Sequence, residues 1–294
     1  MIDFCIGGAP KCATTAVAKY LGQHPDIFFS EPKEPYFYAS EALNKQVMSP
    51  RMSRSEYESL FANKAEHQVA GEGSTYYLHL AERVAPLMAA DNPDLKLIFC
   101  VRDPVERARS HYNYAFSRMG PYMPNGAGRP MPFAEFVRDE TMFEMGNYAK
   151  HLETYFDTFG RDNVLIVLFT DIRKNLSDTL SRICRHIGVD PQFDYRKPET
   201  TNRTKYPKYH RTIRQFDRAL NLVYPHLPVK MRNALLLKRR DLLFAVDGDK
   251  YQLTDEERAD ARALYRPSVE KLQTMIDRDL SHWLTDDREK TSSH

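Results

Sequence analysis

The N-terminal stretch 2–21 constrains the fold more than any other part of the chain. Ile2-Asp3-Phe4-Cys5-Ile6-Gly7 is a short apolar run of β-forming side chains, which predicts a strand. Gly8-Ala9-Pro10-Lys11-Cys12-Ala13-Thr14-Thr15 follows, and Ala16-Val17-Ala18-Lys19-Tyr20-Leu21 has helical spacing with His24-Pro25 as its stop. Strand, tight loop and helix in that order open an α/β domain. Two more near-continuous apolar runs, 95–101 and 164–169, have the length of strands buried on both faces, with helix-like segments between them. The expected architecture is α/β: a central parallel sheet flanked by helices, with a P-loop-like anion loop after the first strand.

At 294 residues the length alone would suggest about two domains. No boundary or repeat is visible, so one domain over 1–294 is expected, with a core over about 2–285 and a short polar tail, 286–294. Hydrophobic residues at 42% and charged residues at 28% exclude collagen-like, low-complexity and wholly disordered chains. The 42 basic and 40 acidic side chains leave only +2, which argues against a surface built throughout for nucleic acid. Strong anion binding must then come from local clustering.

No apolar run approaches the roughly 20 residues that span a bilayer, and Ile2–Ala9 carries Asp3 and lacks the basic start of a secretion signal. Cys5, Cys12, Cys100 and Cys184 form no CxxC or other metal spacing and read as buried or loop thiols of a reducing compartment. The expectation is a soluble, cytoplasmic protein without membrane or metal partners. Residues 117–132 hold seven Gly and Pro residues, so a long surface loop, a candidate lid, is expected there. Arg196, Lys197, Arg203, Lys205, Lys208, Arg211 and Arg214 face a single acid, Glu199, and a second basic run, Lys230 to Arg240, follows. Near the C-terminus Thr254 and Glu257 fit a capping box, Pro267 is expected to split the helix it opens, and Val269, Leu272, Ile276 and Leu280 form an apolar face.

A strand that feeds a tight turn into a helix aims backbone N–H groups and the positive helix end at one point, an anion site. Lys11 adds a mobile cation, and Thr14 and Thr15 add hydroxyls. The competing reading is an ordinary strand-to-helix turn with a surface lysine. A nucleotide P-loop requires GxxxxGK[ST], but Pro10 precedes Lys11 and Cys12 follows it, and no apolar run ends in a Walker B acid. ATP-plus-magnesium chemistry is disfavoured.

The order Pro10-Lys11-x-x-Thr14-Thr15, then Glu34-x-x-Phe37-Tyr38, then Arg102-Asp103-Pro104 with Ser110, resembles a known family. These motifs are similar to those of the sulfotransferases that use 3′-phosphoadenosine 5′-phosphosulfate (PAPS), in particular the heparan-sulfate-type and related bacterial enzymes. Gly146-Asn147-Tyr148-Ala149-x-His151-Leu152, Asn202-Arg203-Thr204-Lys205-Tyr206-Pro207 and Leu280-Ser281-His282-Trp283-Leu284 extend the resemblance over residues 2–285. It implies that Lys11, Thr14 and Thr15, with Cys12 and Ala13 of the same loop, grip the 5′-phosphosulfate. Arg102 and Ser110 would hold the 3′-phosphate, and Arg203, Thr204 and Lys205 would close over the cofactor, although Asn202 stands where many relatives have a basic residue followed by Gly. Sulfuryl transfer, like phosphoryl transfer, is largely positioning plus charge stabilisation, so Lys11 at a helix start is well placed to meet the leaving oxygen. No metal is expected; the co-product would be 3′-phosphoadenosine 5′-phosphate (PAP).

Glu34 is the implied general base for an acceptor hydroxyl or amine; Glu31 is near, but Phe37-Tyr38 set the register on Glu34. Lys33, Glu72, Tyr76 and Tyr112 are further candidates for contact with the sulfuryl group or acceptor. Gly73 stands where eukaryotic polysaccharide enzymes often carry a lysine, which argues against a heparan-like polyanion. Tyr76, Tyr77, Tyr112 and Tyr114 either line an aromatic acceptor cleft or belong to the core. The leading expectation is sulfuryl transfer from PAPS to a small-molecule or carbohydrate acceptor. The alternatives are a P-loop-type nucleotide kinase and a nucleic-acid-binding protein using 196–240, and the second leaves the Lys11 loop and Glu34 unexplained.

Overall fold

The computed structural model describes residues 2–40, 43, 52–119, 131–198, 206–207, 244–245 and 250–285. Its sheet is built from β1 (Phe4–Gly8), β2 (Ile27–Phe29), β3 (Val69–Glu72), β4 (Lys96–Val101) and β5 (Val164–Leu168), in the order β2-β3-β1-β4-β5. Every pairing in it is parallel. β1 and β4 are buried almost end to end, which explains their lack of polar alternation: parallel strands are covered on both faces. The expected runs at 2–7, 95–101 and 164–169 are all strands within a residue or two.

β2 and β3 were not expected from the sequence. They are three and four residues long, and β3 contains Gly71 and Glu72, which weaken any strand signal. Gly71 has a reason to be there. It pairs with Phe4, and a Cβ on it would lie 2.1 Å from Phe4 Cζ. Close approach of the Phe4 ring therefore requires glycine.

The helices are α1 (Thr14–Leu21), α2 (Arg54–Ser59), α3 (Ala81–Asp91), α4 (Pro104–Met119), α5 (Phe133–Arg138), α6 (Glu140–Glu144), α7 (Tyr148–Phe159), α8 (Phe169–Lys174), α9 (Leu176–Ile187) and α10 (Asp255–Ile276). α7 packs against both α3 and α10. Thr254 and Glu257 do form the capping box that opens α10. The expected break at Pro267 is absent, because α10 runs through it for 22 residues. Ala261 and Tyr265 before the proline and Ser268, Val269 and Leu272 after it are all buried. That packing outweighs the roughly 3 kcal/mol a helical proline costs. Leu280 is buried too, but beyond the helix end, which Asp277 closes in the left-handed region at φ 51.

Residues 117–119 of the expected loop belong to α4; 120–130 lie outside the described residues, as do Arg203, Thr204, Lys205 and most of the basic stretch 196–240. Within the latter, Tyr206–Pro207 (β6) pairs antiparallel with Phe244–Ala245 (β7). The four cysteines are free and buried. Among the described residues no helix is long and apolar enough to cross a membrane.

Candidate active site

All the sequence-derived candidates with described positions, apart from those noted below, sit where the strands end. Residues 9–13 follow β1, Glu34 follows β2, Thr75 follows β3, Arg102 follows β4 and Phe169 follows β5. In a parallel sheet these are neighbouring points along one edge, where open α/β sheets bind ligands.

The loop after β1 is tied down by the Ala9 N–H, which donates to the Cys100 carbonyl at 2.8 Å. Lys11 has φ 69 and Ala13 φ 68, with Cys12 between them at negative φ. Left-handed backbone at a non-glycine residue costs on the order of 1 kcal/mol. Alternating signs of φ turn successive N–H groups toward one concavity, an anion nest. Ala13 caps α1 without a side-chain acceptor, and among the described residues no acceptor takes the N–H of Thr14 or Thr15. Lys11 Nζ stands 3.9 Å above the Tyr114 ring centroid. The Cys12 side chain turns into the core, with Sγ 3.6 Å from the Pro10 carbonyl and 3.9 Å from Tyr148 Oη. Burial pushes its thiol up to about 11, so only its backbone faces a ligand. Thr14 is likewise buried, whereas Thr15 is partly exposed.

Arg102 Nη2 lies 3.5 Å from Glu106 Oε2, and its guanidinium rests 4.5 Å from the Phe169 ring centroid. Glu106 is better engaged elsewhere. It accepts from Arg109 Nη2 at 2.7 Å and from Arg258 Nη1, on α10, at 2.8 Å. Burial opposes its charge, yet the hydrogen bonds from Arg258 and Arg109 hold its carboxyl below the ordinary range. Three arginines on one carboxylate leave a surplus of positive charge, and Arg102 is the one held least closely. Asp103 next to it is engaged otherwise: its Oδ1 accepts from the Val105 N–H at 2.8 Å and caps α4. Ser110 follows two turns along α4, partly exposed.

Glu34 is held from three sides. Its Oε1 accepts from Lys33 Nζ at 3.0 Å and Thr75 Oγ1 at 3.3 Å, and its Oε2 accepts from Tyr36 Oη at 2.6 Å. Lys33 Nζ also donates to the Gly73 carbonyl at 2.9 Å. A Cβ on Gly73 would sit 3.0 Å from Lys33 Cε and 3.1 Å from its Nζ. Lys33, arriving from the adjacent loop, thus fills the space that a side chain on residue 73 would enter. Tyr76 lies against Tyr36 with ring centroids 5.4 Å apart.

Two acceptor candidates are corrected by the structure. Glu72 is wholly buried at the end of β3, with Cys5 Sγ 3.9 Å and Ser74 Oγ 3.5 Å away; its place inside the sheet keeps it from any acceptor. Tyr112 is 4% exposed, donates to the Met131 carbonyl at 2.8 Å and packs against Phe136 and Tyr251. Tyr77 is also core, so only Tyr76 and Tyr114 of the four tyrosines remain at the edge. Sequence reasoning missed Glu106, Arg258, Tyr36 and the fully buried Arg107, which donates to the Met142 carbonyl at 2.9 Å. Nothing local marks them except that Tyr36 lies two residues from Glu34.

Glu72 yields a stability prediction. Burial pushes its carboxyl up from 4.5 to about 8. The folded state therefore holds the proton where the unfolded chain releases it, and stability drains away as pH rises through that window. Glu72→Gln has nothing to release. Urea melts at about pH 5 and pH 8 should show the variant gaining a few kcal/mol on wild type as pH rises. Parallel pH dependence of the two proteins would refute the assignment.

The sequence profile described as the sulfotransferase domain matches residues 2–212. Carbohydrate sulfotransferase 15 of Mus musculus is 24% identical over 280 residues, covering 76% of this chain and 49% of that protein. Heparan sulfate glucosamine 3-O-sulfotransferase 3A1 of Mus musculus is 28% identical over 185 residues, covering 62% of this chain and 44% of that protein. The chain thus spans about half the length of these relatives. The crystal structure of a sulfotransferase from Alicyclobacillus acidocaldarius shares the fold, with a TM-score of 0.69 at 22% identity, over 97% of this chain and 99% of that one. With the profile matching well over half of its length, the chain belongs to the sulfotransferase domain family.

Proposed function

We propose that the protein transfers a sulfuryl group from PAPS to a hydroxyl or amine of a small-molecule or carbohydrate acceptor. The observation that carries this reading is the line of strand ends: an anion nest with Lys11 after β1, a loosely held Arg102 after the neighbouring β4, and a thrice-bonded Glu34 after β2, one strand further along on the other side. PAPS would supply the activated sulfuryl group. The N–H groups of 13–15 and Lys11 fit its 5′-phosphosulfate, and Arg102 with Ser110 fits its 3′-phosphate. Glu34 takes the acceptor's proton as the new bond to sulfur forms, while Lys11 and the nest meet the charge that grows on the leaving phosphate oxygen. Relatives named for carbohydrate and heparan sulfate support a sugar acceptor. Gly73, with Lys33 already bonded to Glu34, supports one less anionic than heparan. A kinase reading is weakened by Cys12, whose side chain faces the core where a P-loop presents its hydroxyl.

Calorimetry with PAP, ADP and AMP tests the reading. Charge-assisted contacts contribute about 1.5–3 kcal/mol each, so losing two of them weakens binding by roughly 10²-fold or more. PAP should therefore bind at least that much more tightly than ADP, without added magnesium, and Arg102→Ala should erase most of the preference. Equal affinity of the wild-type protein for PAP and ADP would overturn the proposal.

A further inference from the structure

We infer that Tyr36 is the positioning residue for Glu34 and holds the carboxylate oxygen that receives the acceptor's proton; the inference rests on the reading of Glu34 as general base. Tyr36 has φ 54, a region where a bulky residue is an outlier and persists only when its surroundings over-determine it. Here they do. Its N–H donates to Ser74 Oγ at 3.0 Å, and its ring is packed by Tyr76 and Tyr77 with centroids 5.4 and 6.4 Å away. The side chain is 5% exposed, and its hydroxyl lies 2.6 Å from Glu34 Oε2 and 3.3 Å from Thr75 Oγ1.

Burial, and then the charge of Glu34, push the phenol above its ordinary range. It stays a donor and is not itself a base. A carboxylate has about four lone-pair directions. Lys33 and Thr75 take both on Oε1, and Tyr36 takes one on Oε2. The direction left by these three donors is on Oε2, the oxygen Tyr36 holds. In the transfer the acceptor's O–H bond breaks and its proton goes to Oε2. The freed electron pair forms the O–S bond, and the pair of the breaking S–O bond leaves on the 5′-phosphate of PAP. Thr75 Oγ1 then offers the phenol an alternative acceptor while Oε2 carries the proton.

The test is turnover of 35S-labelled PAPS by the full chain, with water, 2-naphthol and N-acetylglucosamine as probe acceptors. Tyr36→Phe removes one oxygen and leaves the rings packed. Its kcat should fall about 10- to 100-fold, the range for a hydrogen bond to a charged group, with KM for PAPS and calorimetric affinity for PAP unchanged. Glu34→Gln combined with Tyr36→Phe should be no worse than Glu34→Gln alone, since a residue acting only through Glu34 has nothing left to position. Ser74→Ala, which frees the Tyr36 backbone, should lower kcat in the same sense and serves if Tyr36→Phe does not fold. Normal kcat in Tyr36→Phe, or fully additive losses in the double variant, would overturn the role of Tyr36 while leaving Glu34 as base. Undiminished turnover in Glu34→Gln, or none of the probes sulfated by the wild type, would remove the underlying reading and the inference together.

Discussion

Lys11→Ala is expected to lower kcat by two to three decades at saturating PAPS, the range measured when one donor to a developing oxyanion is deleted. The placement of the lysine suits the role proposed for it. Its backbone is left-handed at φ 69, it precedes the first turn of α1, and its ammonium rests over Tyr114 at 3.9 Å. Alanine is no easier to place at that φ than lysine, so the loop should keep its strain and its shape. Lys11→Met, which keeps the apolar stem and removes only the charge, should therefore lose as much turnover as alanine. Near-normal kcat in either variant would show that the charge is met by other groups.

Glu34→Gln should lose about two to four decades in kcat, the contribution of a positioned general base. The change keeps size and leaves Lys33 bonded to the Gly73 carbonyl, so the loop should survive it. PAP affinity should remain within a few-fold of wild type, because Glu34 follows β2 whereas the anion nest follows β1. Calorimetry alongside turnover separates the roles. If PAP binding disappears while residual turnover scales with occupancy, Glu34 belongs to the cofactor site instead.

Much of the fold is legible in the sequence. β1, β4 and β5 are contiguous apolar runs because a parallel strand has no solvent face, and the capping box at Thr254 and Glu257 lies within four residues. Lys11 and Arg102 were legible as groups at a helix start and a strand end, because both features are written in neighbouring residues, whereas Glu34 stood out only through the resemblance of Glu34-x-x-Phe37-Tyr38 to a known family. β2 and β3 were not legible, since three or four residues containing Gly71 and Glu72 carry almost no periodic signal. Pro267 misled because local chemistry opposes a helix that the packing of α10 against α7 sustains.

What only the tertiary structure decided is the direction each side chain takes. Glu72 and Tyr112 have the chemistry of acceptor contacts, yet the sheet and the aromatic cluster around Phe136 and Tyr251 turn them inward. Tyr36 reaches Glu34 because Ser74, Thr75 and Tyr76 arrive from β3, some 40 residues away along the chain. Arg258 comes to Glu106 across 152 residues. Sequence by itself determined the strand-to-helix turns after β1 and β4 and hence that Lys11 and Arg102 stand at strand ends, because those follow from forces between near neighbours. Which carboxylates stay charged there, which are buried, and what holds them is settled by burial and hydrogen bonds between distant segments, and these exist only once the chain has folded.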